Sequence, residues 1–395
     1  MPILAHRPFI RATVTNFFLF ASLNGFVLLP LYIQRLGGTE VEIGLVMGLY
    51  SAVGIVCQPI IGRWVDAAGR RPFMLLGVAL VLASAVLATF ATAVPWLVLV
   101  RALQGLGFSA FFVANYAYVI DLVPVERRGW ALGIYGISGM ISTALTPLFG
   151  EAIIRRFGFR PFFAVCAVLA VIAAALVWPL RERARAEARP ASGWDWARAG
   201  LADLAHRHMA VTVFFGLGTG TIFAFLPTFA DGLGVTTLAL FYTAYAGAAM
   251  AVRVLGGRLI DTHGRSAVIV PSMFVQVAAT SLLAMRGLVM HASALPALPV
   301  LAVAGLLAGG AHGFLYPGLA ALVADQAPET RRGAVVGVFS AVFLVGNAGG
   351  AFVFGYVAHA LGYGRMWSLL TALLLGGAGL SLRLAGEAPH PLVRA

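Results

Sequence analysis

Apolar runs about twenty residues long recur along the whole chain, and they fix the solvent in which it folds. Crossing about 30 Å of hydrocarbon at about 1.5 Å per residue takes roughly 20 apolar residues in helix. Twelve such runs start near Phe9, Glu40, Phe73, Pro95, Trp130, Pro161, His208, Thr236, Ala267, Pro296, Gly333 and Gly364. Lipid offers no hydrogen-bond partner to bare backbone, so runs of this length are read as helices. Composition agrees: 61% of the 395 residues are hydrophobic and 11% are charged, against roughly 25% charged in soluble domains. The fold class is therefore an all-α polytopic membrane protein. The first run has Arg7 and Arg11 ahead of it and no small-residue cleavage site behind it, which reads as a retained span rather than a leader.

All 27 basic residues are arginine and the formal net charge is +12. No basic patch with interleaved aromatics accompanies that charge, so no nucleic-acid partner is expected. The arginines sit in the short gaps between runs. Apart from Arg101 and Arg253, which fall inside spans, 19 lie at the termini and even-numbered gaps and 6 in the odd-numbered gaps. The positive-inside rule places the richer side, and both termini, in the cytoplasm. The expected location is the cytoplasmic (inner) membrane of a bacterium.

The longest polar stretch, RERARAEARPASGWDWARAGLADLAHRH, divides the chain into residues 1–180, a linker at 181–207, and residues 208–395. Trp194 and Trp196 suit a helix lying on the membrane surface, and a solvated linker is the alternative. The two cysteines, Cys57 and Cys166, lie inside apolar runs with no CxxC spacing, and read as packing residues rather than ligands or a disulfide.

The polar turn GRWVDAAGRRP at 62–72 returns later in the chain. GRWVDAAGR at 62–70 matches GRLIDTHGR at 257–265 at a shift of 195, and DLVPVERRGWALG at 121–133 matches DQAPETRRGAVVG at 325–337 at a shift of 204. Two pairs at nearly one offset indicate duplicated halves. The difference between the offsets falls near RGLVMHASALPALP, which predicts a longer loop between spans 9 and 10. Gly62 and Gly69 are expected to let the backbone turn and approach a neighbouring helix, and Asp66 to meet positive charge there.

With its repeat, the turn resembles the loop signature G-x-L-x-D-R-x-G-R-K/R of the major facilitator superfamily, with Trp64 and Ala67 departing from it, and RALQGLGFSA at 101–110 resembles that family's R-x-x-Q-G-x-G-x-A signature of span 4. The resemblance covers essentially the full length and lies towards the proton-coupled drug and metabolite efflux branch. It implies two six-helix bundles related by a pseudo-two-fold axis and a gate latch built from Gly62, Asp66, Gly69, Arg70 and Asp121, repeated as Gly257, Asp261, Gly264, Arg265 and Asp325. It further implies that Asp66 caps span 11 near Gly333, that Arg70 pairs with Asp121, and that the cluster releases when that side opens. A topology determinant is the plainer reading of the same arginines.

Ionisable groups inside spans are costly and so are candidates for function. Arg101 lies within span 4 with Gln104 on the same face; Arg253 lies one turn before Gly257, where snorkelling competes with function. His312 sits 13 residues before Asp325, about 20 Å along a helix and so near the bilayer midplane, with Tyr316 one turn on. It reads either as a hydrogen-bonded core histidine or as a proton-sensitive cargo contact. In the resembled family spans 1, 4, 7 and 10 line the cavity, which adds Asn24, Phe108, Asn115, Thr219 and Phe223. The glycines of LNGFVLLP and GLGTGTIF would permit bending there.

All 15 carboxylates fall in loops or near span ends, with Glu151 and Asp231 left as possible proton carriers. With arginine inside and no buried acid, the cavity should prefer anionic or neutral amphipathic cargo to cations. STALTPLFGE keeps Pro147 and Gly150 of an exporter signature G-x-x-x-G-P-x-x-G-G but has Ser142, Thr146 and Glu151 at other glycine positions, which weakens the case for export.

The expectation is a monomeric alternating-access transporter, not an enzyme, that moves a small-molecule substrate across the lipid bilayer by proton-coupled efflux. No cofactor or metal is expected, the proton gradient being the energy source, and no Walker motif points to ATP. Proton-coupled uptake of an organic anion is the alternative within this class. A membrane enzyme would need clustered histidines or acids, or a nucleophile beside a base, and none is present. A transport-dead sensor on the same fold would be expected to have lost the latch residues.

Overall fold

The computed structural model describes residues 7–124, 128–181, 207–289, 296–326 and 332–384. The linker after Arg181 and the side chains of Asp66, Gly257, Asp261 and Gly333 lie outside the described residues. Among the described residues all regular structure is helical. Span 1 runs Arg7–Arg35 with a 3-10 turn at Phe26–Leu28. Glu40–Ala68, Arg70–Phe90, Val94–Leu122, Arg128–Phe157 and Phe159–Val177 are spans 2 to 6. Arg207–Gly232, Ala239–Thr262, Arg265–Leu288 and Ala297–Gln326 are spans 7 to 10, and spans 11 and 12 share one continuous assignment, Arg332–Ser381. That last helix contains Gly362 at φ +78° and ψ 166°, outside helical values, so it is two spans meeting at a sharp turn. Eleven continuous stretches therefore carry the twelve spans, and every observed start lies within three residues of its sequence-based expectation.

The boundaries follow from residues that cannot continue a helix. Gly69 and Gly264 take φ +98° and +88°, and Gly158 and Gly362 take +86° and +78°. In that left-handed region a Cβ would clash, so glycine is the low-cost choice. The first two are related by the shift of 195 and the second two by 204, so the helix ends repeat with the sequence. The interval between spans 9 and 10 covers 289–296 against 91–93 in the first half, which is where the offset grows.

The turn at 62–72 needs correction. Residues 62–68 continue span 2 as helix, and Gly69 alone makes the turn. A Cβ on Gly62 would meet only Val113 at 3.9 Å, so close helix approach does not require a glycine there. GLGTGTIF lies within the continuous helix of span 7. Its glycines admit neighbouring backbone: a Cβ on Gly216 would strike the Phe343 carbonyl, and one on Gly220 the Asn347 carbonyl. LNGFVLLP does break, at the Phe26–Leu28 turn.

The chain forms two compact units, Met1–Gly38 with Leu49–Ala191, and Thr39–Gly48 with Ser192–Ala395. In the first, span 3 packs on spans 4 and 6, and span 1 on spans 5 and 6. In the second, span 10 packs on spans 8 and 9, while the span 11–12 helix packs on spans 7 and 9. Span 4 crosses close to its neighbours: a Cβ on Gly105 would sit 2.6 Å from the Tyr50 carbonyl oxygen. Gly309 meets the Tyr245 carbonyl in the same way, and both partners are related by the repeat shifts. The outer core of each unit is apolar, with Val78, Val81 and Phe111 in the first and Ile269, Met273 and Leu315 in the second. Thr39–Gly48 groups with the second unit through Glu40, whose carboxylate lies 3.0 Å from His359 Nδ1, and through Gly44 against the Ala351 carbonyl.

Candidate functional site

Each unit carries an ion pair at the end of its fourth helix. Arg70 Nε donates to Asp121 Oδ2 at 3.1 Å, and Arg265 Nε donates to Asp325 Oδ2 at 3.0 Å. Gly69 and Gly264 start spans 3 and 9 directly before these arginines, so one positive-φ residue both ends a helix and aims the next cation. Arg70 also donates from Nη1 to the Val65 carbonyl at 3.2 Å, which accepts the Gly69 N–H at 3.1 Å as well. The Asp121 side chain keeps 46% of its exposure, so the pair stands in high dielectric and contributes about 1 kcal/mol or less.

The interior polar groups fall into two kinds. In the first unit, most of the expected contacts are occupied within the unit. Asn24 Nδ2 donates to Ser142 Oγ at 2.8 Å and Thr143 Oγ1 at 3.0 Å, tying span 1 to span 5. Asn115 is fully buried and donates to the Ala12 carbonyl at 3.3 Å and the Tyr135 hydroxyl at 3.1 Å. Arg101 is 7% exposed and does not snorkel. Its guanidinium carbon lies 4.6 Å from the centre of the Tyr50 ring, and Nη1 donates to Gln104 Oε1 at 2.9 Å. Desolvated, such a cation–ring contact contributes about 2 kcal/mol.

Tyr50 is also part of an aromatic box around Phe108. Ring centres lie 5.8 Å from Phe108 for Phe20, 5.4 Å for Tyr50 and 5.2 Å for Phe112. A shift of 195 carries Phe20 to Phe215 and Tyr50 to Tyr245, and a shift of 204 carries Phe108 to His312 and Phe112 to Tyr316. The second unit builds the same box from those residues, with ring centres at 5.2, 5.6 and 6.1 Å from His312. Phe343 adds a fourth wall at 6.4 Å. The copies differ at the centre, phenylalanine in one and histidine in the other, and at one wall, Phe112 against Tyr316.

Sequence reading singled out Phe108, His312 and Tyr316 separately and missed Phe20, Tyr50, Phe215 and Tyr245. Applying the two shifts to every aromatic would have found the box. His312 Nδ1 is buried without a hydrogen-bond partner among the described residues. A buried group left so costs about 1–3 kcal/mol. Arg253 lies within electrostatic reach of His312, Tyr245 and Tyr316, and its Nε is likewise buried without a described hydrogen-bond partner. Phe223 contacts the rings of Tyr242 and Tyr245, and Thr219 bonds back to the Phe215 carbonyl at 3.0 Å.

A sequence profile of the Major Facilitator Superfamily matches residues 12–285 and 208–394. The chain belongs to the Major Facilitator Superfamily. Among its relatives in that superfamily, the multidrug resistance protein MdtG of Rahnella sp. (strain Y9602) is 26% identical over 385 residues, covering 92% of this chain and 89% of the relative. The uncharacterized MFS-type transporter MJ1560 of Methanocaldococcus jannaschii is 23% identical over 371 residues, covering 89% and 92%. Two solved structures share the fold. A mutant form of the nucleoside transporter NupG superposes with TM-score 0.79 at 14% identity, covering 95% of this chain and 99% of that one. The human organic anion transporter MFSD10 (TETRAN) superposes with TM-score 0.71 at 19% identity, with the same coverage.

Within a superfamily member, one sequence expectation about acids needs correction. Glu151 is 8% exposed, so a carboxylate is buried after all. It lies six residues before the end of span 5, beside Gly150, where a Cβ would press on the Phe162 ring at 2.6 Å. That tight packing buries the acid although it sits near a helix end. Asp231, at the end of span 7, is exposed.

Proposed function

We propose that this multi-pass membrane protein of the Major Facilitator Superfamily is a secondary transporter working by alternating access, and that it exports a small anionic or neutral amphipathic organic solute in exchange for protons. The observation that carries the reading is the duplicated ion pair, Arg70 with Asp121 and Arg265 with Asp325, at equivalent helix ends of two duplicated units. A structure held by small, exposed charge pairs at repeated positions can be opened and reclosed at low cost, which an alternating cycle requires. Asp66 and Asp261, with Gly62, Gly69, Gly257 and Gly264, complete the proposed cytoplasmic latch.

The sign of the cargo follows from the interior charges. Arg101 and Arg253 lie inside spans, while Glu151 is the one buried carboxylate among the described residues. Such an interior attracts anions and repels cations. Glu151 is the favoured proton carrier, since a carboxyl shielded from water can change protonation within the cycle. The human organic anion transporter that shares the fold and the multidrug resistance protein among the relatives are consistent with this cargo. With termini in the cytoplasm of a bacterial inner membrane and residues 181–207 as the link, residues 1–180 and 208–395 would act as the two moving halves of a monomer.

The test is flux into proteoliposomes of 1-naphthalenesulfonate against 1-naphthylmethylammonium. Saturable flux of the sulfonate above that of protein-free vesicles is expected. Selective flux of the ammonium would refute the charge assignment.

A further inference from the structure

Two boxes made by one duplication would be expected to keep one packing. They differ at the centre, and the difference disfavours stability: Phe108 fills its box with apolar surface, whereas His312 brings a nitrogen that finds no hydrogen-bond partner among the described residues. Arg253 adds a second such nitrogen beside the same rings. Both residues are half-buried, as are Tyr316 and Phe343, so this corner of the second unit keeps part of its surface exposed, as Phe108 does in the first. Arg101 Nε in the first unit likewise makes no hydrogen bond among the described residues, but Arg101 differs otherwise. It is buried, its cation is covered by Tyr50, and its Nη1 donates to Gln104. Its charge is built into the fold, whereas the charge and donors of the second unit are held in readiness.

We propose that the His312 box is the specificity-determining subsite of this transporter. His312 and Arg253 would donate to the oxygens of a carboxylate or sulfonate, while Tyr316 and Phe343 contact the solute's apolar body. Buried donors that lack a partner in the empty protein discriminate strongly, because a solute without acceptor oxygens leaves them unsatisfied. The rings exclude water, which strengthens whatever charge contact forms there. The assignment rests on the transport reading above and narrows its substrate to organic anions, with recognition concentrated in the second unit.

Binding to the purified full-length protein in detergent tests it. The probes are 1-naphthalenesulfonate and its neutral counterpart 1-naphthalenemethanol. His312→Phe restores the packing of the first box, and Arg253→Gln keeps a polar side chain while removing the charge. Each variant should weaken sulfonate binding at least tenfold and change alcohol binding by less than threefold. Sulfonate affinity within threefold of wild type in either variant that retains the wild-type unfolding temperature would overturn the assignment. Saturable wild-type flux of some other solute, with no sulfonate binding, would also overturn it while leaving the transport reading intact. Sulfonate binding lost in His312→Phe, in a wild-type protein that drives no flux, would uphold the subsite and refute transport.

Discussion

Tyr50 joins a charge to the hydrophobic interior of the first unit, and removing its ring has a magnitude that can be worked out. The ring lies under the Arg101 guanidinium at 4.6 Å and beside Phe108 at 5.4 Å. A desolvated cation–ring contact contributes about 2 kcal/mol, and the ring pair adds about 0.5–1.5 kcal/mol. Tyr50→Leu should therefore destabilise the protein by about 3 kcal/mol, with the Gln104 bond left to hold Arg101. Tyr50→Phe keeps the ring, and the hydroxyl makes no hydrogen bond to another described residue. Its cost should stay under about 0.5 kcal/mol, the ordinary range away from specific features. Equilibrium unfolding of both variants in detergent, alongside wild type, reads the difference. If Tyr50→Leu matches wild type, Arg101 does not depend on the ring. If Tyr50→Phe is as damaging as Tyr50→Leu, the hydroxyl carries the effect and the cation–ring account fails.

Gly105→Ala would press a methyl group within 2.6 Å of the Tyr50 carbonyl, whereas Gly133 has nothing within 4 Å. Unfolding measurements should show a loss of about 1–3 kcal/mol for the first and no loss for Gly133→Ala. Arg70→Gln and Arg265→Gln should each change stability by about 1 kcal/mol or less yet slow transport in proteoliposomes, with membrane insertion unchanged; wild-type flux in both would remove the latch. Glu151→Gln should abolish gradient-driven accumulation while leaving solute exchange across the membrane near the wild-type rate. Loss of both would make Glu151 structural.

Much of the fold was legible because lipid leaves few choices. Runs of apolar residues had to be helices, and the glycines at 69, 158 and 264 ended them where sequence placed a gap. Gly362 falls in the gap that His359 and Arg365 mark in the sequence, and its backbone angle makes the turn although the helix assignment runs through it. Sequence also brought Arg70 to Asp121 and Arg265 to Asp325, because a family signature specifies that pairing. Packing was not legible. Nothing in the spacing shows that Asn24 and Asn115 would use their donors on span 5 and on span 1. Nor does position near a helix end show that Glu151 would be buried, which depends on what packs beside it. The His312 box lay between these extremes: His312 and Tyr316 were readable one by one, whereas Phe215 and Tyr245 emerge only when both repeat shifts are applied together.

The direction of proton coupling is the most direct test of the central claim. Purified protein in proteoliposomes, given 1-naphthalenesulfonate and an imposed pH difference, should accumulate the sulfonate when the lumen is acidic, because outward proton flow then drives solute inward through an exchanger. The permanently charged sulfonate removes weak-acid leakage as a cause of accumulation. Uptake that requires an alkaline lumen would show symport, and uptake indifferent to the gradient would contradict proton coupling altogether.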